Sequence, residues 1–404
     1  MKNKVIKGLC LLLTAGMLLS LAACGGNGEG TENTENSETV QTEEGSQNTE
    51  DATNKVTQTE ETETETVESE TEESESEESE SEETQTQEQE SESATEDNNN
   101  QDSSQLGAGQ VVDCGSFWII DRAGYEAYGY SENVAKAYAN AINKLAAGTD
   151  AKVYTLLVPM AGDVVLPDAY KGKIKMDDNK ASIDKVSALM EDEVTGLNVT
   201  SNLLKHKNEY LYFYTDHHWT QRGAYYAYQV FCESKGISYN ALESYKKASY
   251  SGFYGSFYFE NKHEILKAHP DTVDTWTPLS PNTMTVTDIN GKEFTWPLVN
   301  DVSDYKAGTK YSAFIAGDNP FTVIDNETIN DGSSCVVIKD SYGNAFVPYL
   351  TDHYDKVYVV DFRYWTGSLI DFVNENEIDD VLFVNGLSTL TNSYQVGKIR
   401  AIIE

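Results

Sequence analysis

"CVVIKDSYGNAF", Cys335 through Phe346, is an apolar run that stops at Lys339, Asp340 and Ser341 and resumes as a helical pattern. Consecutive apolar residues without polar alternation describe a strand buried on both faces. Two runs of the same kind follow, "KVYVVDF" from Lys356 and "DDVLFVNG" from Asp379. The helical stretches "YGNAFVPYLTDHY" and "GSLIDFVNENE" separate the three. Such β-α-β alternation predicts an α/β fold, a mostly parallel sheet with helices on both faces.

The same grammar continues upstream. "FWII" precedes a helical pattern that Ser131 or Glu132 opens and Gly148 stops. "AKVYTLLVP" leads to "DNKASIDKVSALMED", and "YLYFYTD" reads as a strand running into "TQRGAYYAYQVFCESKG". There Ala224, Ala227, Tyr228 and Phe231 recur at helical spacing, and Thr220 is placed to cap the first turn. Between Ala248 and about Asn330 the text turns to Gly, Ser, Thr and aromatic residues, as in "YSGFYGSFYFE", which reads as a β-rich insertion or lid.

Residues 1–23 have a different character. Three lysines lead into an apolar run ending "LAAC", the pattern of a secretory leader. That ending resembles the lipobox of bacterial lipoproteins, in which Cys24 carries the lipid. Residues 24–110 form an acidic linker, with 28 acids and one lysine giving a charge of −27. With almost no apolar side chain to bury, it is expected to be disordered, a self-repelling tether. About −14 of the total of −38 is left for the α/β domain, residues 111–404. That acidity excludes the basic stripe a nucleic-acid partner requires. Cys114, Cys232 and Cys335 are too few and too scattered for a disulfide framework.

Reactive groups in parallel α/β sheets gather at the carboxyl ends of strands. Ser341 sits at one such end, beside the amides of the following helix, which can stabilise an oxyanion. The same serine can equally be a simple helix cap. Gly343 permits close backbone approach, Asn344 supplies a donor, and Asn319 in "FIAGDNP" is a second oxyanion candidate or a plain turn residue. "TDHHWT", Thr215 to Thr220, ends the predicted strand before the second helix. In an extended segment Asp216 and His218 share a face and His217 points away, leaving it a structural bond or a substrate contact. Trp219 reads either as a core indole or as a sugar platform. Adjacent histidines with no other ligand pattern do not make a zinc site, so no metal and no cofactor are expected.

"TDHHWT" and, about 125 residues later, "KDSYGNAFVPYL", behind a lipoprotein-type leader, together resemble the bacterial DHHW-motif protein family. That family is similar in turn to the alginate O-acetyltransferase group of SGNH-like enzymes. The resemblance implies an SGNH-like domain with Asp216 as orienter, His218 as base and Ser341 as nucleophile. Lys339 departs from the pattern, which has a small residue there. It further implies a lipid-anchored protein on the outer face of the cell membrane, with cell-wall or extracellular polysaccharide as partner. A membrane acyl-donor protein is a further partner it admits. Three functions remain open on the sequence: an O-acyltransferase or esterase, a non-catalytic polysaccharide-binding lipoprotein, and a structural envelope protein.

Overall fold

The computed structural model describes residues 106–403. The leader, Cys24 and nearly all of the acidic linker lie outside the described residues. The strands are β1 (Val111–Asp113), β2 (Phe117–Ile120), β3 (Ala123–Glu126), β4 (Lys152–Val158), β5 (Val194–Leu197), β6 (Lys246–Phe253), β7 (Asp271–Thr277), β8 (Asn282–Thr287), β9 (Glu293–Thr295), β10 (Phe321–Asn326), β11 (Ser334–Lys339), β12 (Lys356–Asp361) and β13 (Asp380–Gly386).

Eight of them form the central sheet, in the order β5-β4-β13-β11-β12-β10-β8-β9. The first five run parallel. The last three run antiparallel to their neighbours, so the sheet is mixed, parallel over its first five strands and not strictly parallel throughout. The reason lies in the insertion. Parallel neighbours need helical crossovers, whereas "TDINGKE" turns β8 directly back into β9, a connection that makes only antiparallel pairs. The insertion also supplies β6 and β7, a separate two-stranded sheet, while β1 to β3 form a third.

Alternation along the buried strands divides the core in two. Val336 and Ile338 face the layer formed by the helices Glu132–Ala147 and Ser393–Ile403. Cys335 and Val337 face the helix Gln221–Lys235 and the aromatic packing around it. Thr220 caps that helix, accepting from the Gly223 amide, and Gly236 closes it at φ 77°. No helix among the described residues is long and apolar enough to cross a membrane.

Candidate active site

The stretch before that helix is not the strand its sequence suggests. Only an isolated antiparallel bridge, Tyr212 to Trp219, pairs its ends, and residues 214–218 bend between them. The Phe213 amide donates to the His218 carbonyl and the Thr220 amide to Leu211. The β propensity of "YLYFY" is overridden because its backbone donors find a carboxylate instead. Asp271, at the start of β7, accepts from the Tyr214 amide (2.7 Å), the Thr215 amide (2.7 Å), the Thr215 hydroxyl and the Tyr210 hydroxyl. Burial raises the Asp271 pKa to about 6 in spite of these donors.

The bend carries Asp216 and His218 to the turn after β11. His218 Nδ1 lies 2.6 Å from Asp216 Oδ1, and His218 Nε2 lies 2.6 Å from Ser341 Oγ. An aspartate carboxylate only accepts, so Nδ1 carries the hydrogen and Nε2 is left to accept the serine proton. Asp216 also takes the His218 amide at 2.9 Å and, on its other oxygen, the Ser256 amide at 2.8 Å. Burial alone would raise its pKa. The two neighbouring imidazoles and these hydrogen bonds outweigh that and hold it well below the usual carboxylate range. Tyr311 covers the other face of the imidazole, its ring 4.3 Å from that of His218 and within 14° of parallel.

Two cross-links fasten the bend to the serine turn. The Trp219 indole donates to the Tyr342 carbonyl at 2.9 Å, and the Tyr342 hydroxyl donates to the His217 carbonyl at 2.7 Å. Trp219 is fully buried, so it is a core indole and cannot be a sugar platform. His217 does not point away, either. Its ring stands 3.9 Å from that of His218, because the alternation of an extended strand does not apply across a bend. Its Nδ1 pairs with the Ser256 hydroxyl at 2.7 Å. Burial, then the neighbouring His218, lowers its pKa. Ligand atoms of Asp216, His217 and His218 lie within 4.8 Å of one another. Both Asp216 oxygens already accept protein donors and His218 Nε2 meets Ser341, so the arrangement is a hydrogen-bonded relay.

The oxyanion candidates are placed differently from expectation. The Gly343 amide donates to the Asp340 carbonyl at 3.0 Å, and the Asn344 side chain to Asp318 at 2.9 Å. Asn319 donates to the Ala316 carbonyl at 3.1 Å. These donors brace the turn. Gly343 is required for space, since a Cβ there would lie 2.5 Å from the Lys339 Cβ. Lys339 is fully buried and pairs with Asp361 at 2.8 Å and Asp318 at 3.0 Å. Arg363 joins both carboxylates, at 2.6 Å to Asp361 and 2.9 Å to Asp318. Ile315, Ala316 and Gly317 all have positive φ just before Asp318, a costly backbone for an isoleucine. Asp340 accepts from the amides of Tyr342 and Gly386 and from the Thr389 hydroxyl, which ties the turn to the end of β13.

Sequence reading missed Asp271, Ser256, Tyr311 and Tyr342. The first three come from the insertion, and nothing local in their stretches marks them. Tyr342 adjoins the serine, and adjacency was the one available signal.

A fold of this kind, with an acid, a histidine and a serine meeting at the carboxyl end of a central strand, is SGNH-like. The chain belongs to the DHHW protein family, whose model matches residues 37–360. The match ends within β12, so β13 and the segment after it lie beyond it. A DHHW family protein from Eubacterium siraeum is 29% identical with a TM-score of 0.66, over 73% of this chain and 98% of that one. PatB1 of Bacillus cereus is 21% identical with a TM-score of 0.56, over 70% and 97%, and has also been solved with a sulfonyl adduct. The O-acetyltransferase domain of Pseudomonas putida AlgJ aligns more loosely, at 13% identity and a TM-score of 0.38, over 72% and 98%. No curated protein matches the chain.

Proposed function

We propose that the domain is a serine O-acyltransferase or esterase that acts on cell-envelope polysaccharide through an acyl-serine intermediate. The observation that carries this is His218, 2.6 Å from Asp216 on one ring nitrogen and 2.6 Å from Ser341 on the other. In the first half-reaction Ser341 Oγ attacks the acyl carbonyl carbon while its proton passes to His218 Nε2. The proton then leaves with the departing group as its bond to the acyl carbon breaks. In the second, a sugar hydroxyl or water attacks the acyl-serine, its proton goes to Nε2, and the serine oxygen leaves and recovers a proton. Asp216 holds the tautomer and stabilises the imidazolium formed on the way. The sulfonyl adduct of PatB1 supports the reading, since sulfonyl reagents react with activated hydroxyls. "LAAC" and the acidic tether support lipid attachment at Cys24, with the domain held outside the membrane.

The test is treatment of the full chain with phenylmethanesulfonyl fluoride, followed by peptide mass spectrometry. The expected adduct is on Ser341, lost in Ser341→Ala and slowed at least a hundredfold in His218→Ala. An unlabelled Ser341 in a protein of unchanged circular dichroism overturns the proposal.

A further inference from the structure

A cavity of about 240 Å³ opens beside Ser341, with His217, Arg363, Ser388, Asn392 and Gln395 in its lining. Ser388, Asn392 and Gln395 follow β13 and lie beyond the stretch matched by the DHHW family model. The cavity volume falls below the roughly 300–1,000 Å³ of sites that enclose drug-sized ligands, which suits one ring and not a chain of them. The wall chemistry is hydroxyl and carboxamide, groups that donate and accept, as sugar hydroxyls do. Gln395 Oε1 is buried with no hydrogen-bond partner, an acceptor left unsatisfied within the protein.

The charge around the cavity is equally specific. Arg363 is the cation on the wall, yet its Nε and Nη2 are held by Asp361 and Asp318. Lys339 behind it shares the same two carboxylates, Asp318 and Asp361, and the carboxyl that lines the cavity is Asp340. An entering anion gains no unpaired cation and meets the Asp340 carboxyl, an arrangement that discriminates against it.

We infer that this cavity is the acceptor subsite and takes one uncharged sugar ring, excluding uronate and phosphate-bearing sugars. It rests on the acyl-transfer reading of Ser341, because the ring must offer its hydroxyl to the acyl carbon there. The ring's other hydroxyls are read by Ser388, Asn392 and Gln395, and the hydroxyl that reacts is the one the wall leaves facing Ser341.

Two measurements on the full chain separate the subsite from the chemistry. Calorimetric titration with neutral tetrasaccharides (of N-acetylglucosamine, glucose, mannose and galactose) is compared with galacturonate and mannuronate tetramers. At least one neutral tetramer should bind, and the uronates at least tenfold more weakly. Gln395→Leu and Asn392→Ala should each weaken the neutral tetramer tenfold or more in proteins whose thermal unfolding matches the wild type. Uronates binding as well as neutral tetramers, no neutral tetramer binding, or both variants binding as wild type would each overturn the subsite. Separately, p-nitrophenyl acetate should leave an acetyl group on Ser341, transferable to the bound neutral tetramer. Failure of acetylation with sugar binding intact removes the proposed function and the acceptor role together, and leaves only a neutral-sugar binding cavity beside Ser341.

Discussion

The ring of Tyr311 lies flat on the imidazole of His218, and its hydroxyl donates to the Ser341 carbonyl at 2.9 Å. One side chain from the insertion thus touches both the histidine and the serine turn. Burial pushes the phenol pKa well up, so it remains a donor across the working pH range. Tyr311→Phe keeps the stacked face and loses one hydrogen bond, worth about 1 kcal/mol, and should lower kcat by less than tenfold. Tyr311→Ala frees the imidazole to rotate and should lower kcat about a hundredfold with a smaller change in KM. Ester turnover of the two variants checks this. Equal effects would mean that the hydroxyl, and not the stacked ring, is what matters.

The two histidines should separate cleanly. General base catalysis contributes roughly 10² to 10⁴, so His218→Ala should lower kcat by at least that range. His217 pairs with Ser256 and lines the cavity beside Ser341. His217→Ala should therefore raise KM more than it lowers kcat, and His217→Gln, which can keep a bond to Ser256, should be milder. A dead His217→Ala beside a nearly normal His218→Ala would reverse the two roles.

How much of this was readable in the chain varies with the kind of signal. β11, β12 and β13 are legible because a strand buried on both faces must be apolar throughout. The meeting of Asp216 and His218 was also readable, since two residues apart is a workable spacing in a strand and in this bend alike. The direction of His217 was not. It depended on "YLYFYTD" being extended, and the competing partner was Asp271, more than fifty residues away. The roles of Gly343, Asn344 and Asn319 were hidden for a similar reason. Asn344 is taken by Asp318, which Lys339 and Arg363 hold in place. Gly343 is set by the close approach of the Lys339 Cβ, and Asn319 is spent on the Ala316 carbonyl of its own turn.

Gly343 is the counterpart of Lys339, lacking the Cβ that would strike the Lys339 Cβ. Lys339→Ala leaves Asp361 buried with Arg363 alone. Removing one partner of a buried ion pair costs on the order of 3–5 kcal/mol, so the variant should unfold at markedly lower temperature. Gly343→Ala should also lower the unfolding temperature, and pairing it with Lys339→Ala should not relieve that loss, because alanine keeps the Cβ that the new methyl meets at 2.5 Å. A double variant in thermal melts that loses much less than the two single losses combined would show that the lysine stem beyond Cβ makes the clash.

The final prediction concerns Asp271, which holds the bend from outside the motif. Four donors converge on its carboxylate, two of them the amides of Tyr214 and Thr215 immediately before Asp216. Asparagine there would turn an NH₂ group toward two of those donors, an amide and a hydroxyl, and a buried unsatisfied donor costs about 1–3 kcal/mol. The bend should loosen, so Asp271→Asn should lower kcat although it touches neither His218 nor Ser341. The pH dependence of stability gives a second readout with a definite sign. Burial raises the folded-state pKa from 3.8 to about 6. The folded protein therefore takes up this proton at a higher pH than the unfolded chain. The stabilisation linked to that proton is complete below pH 3.8 and is lost as the pH rises through about 6. A tenfold difference in proton affinity between the folded and unfolded chain is worth about 1.4 kcal/mol. The unfolding free energy of the wild type minus that of Asp271→Asn should accordingly fall between about pH 4 and pH 7. Urea denaturation of both proteins across that range measures it. A difference that rises with pH would mean that the four donors outweigh burial and that Asp271 is an ordinary low-pKa carboxylate.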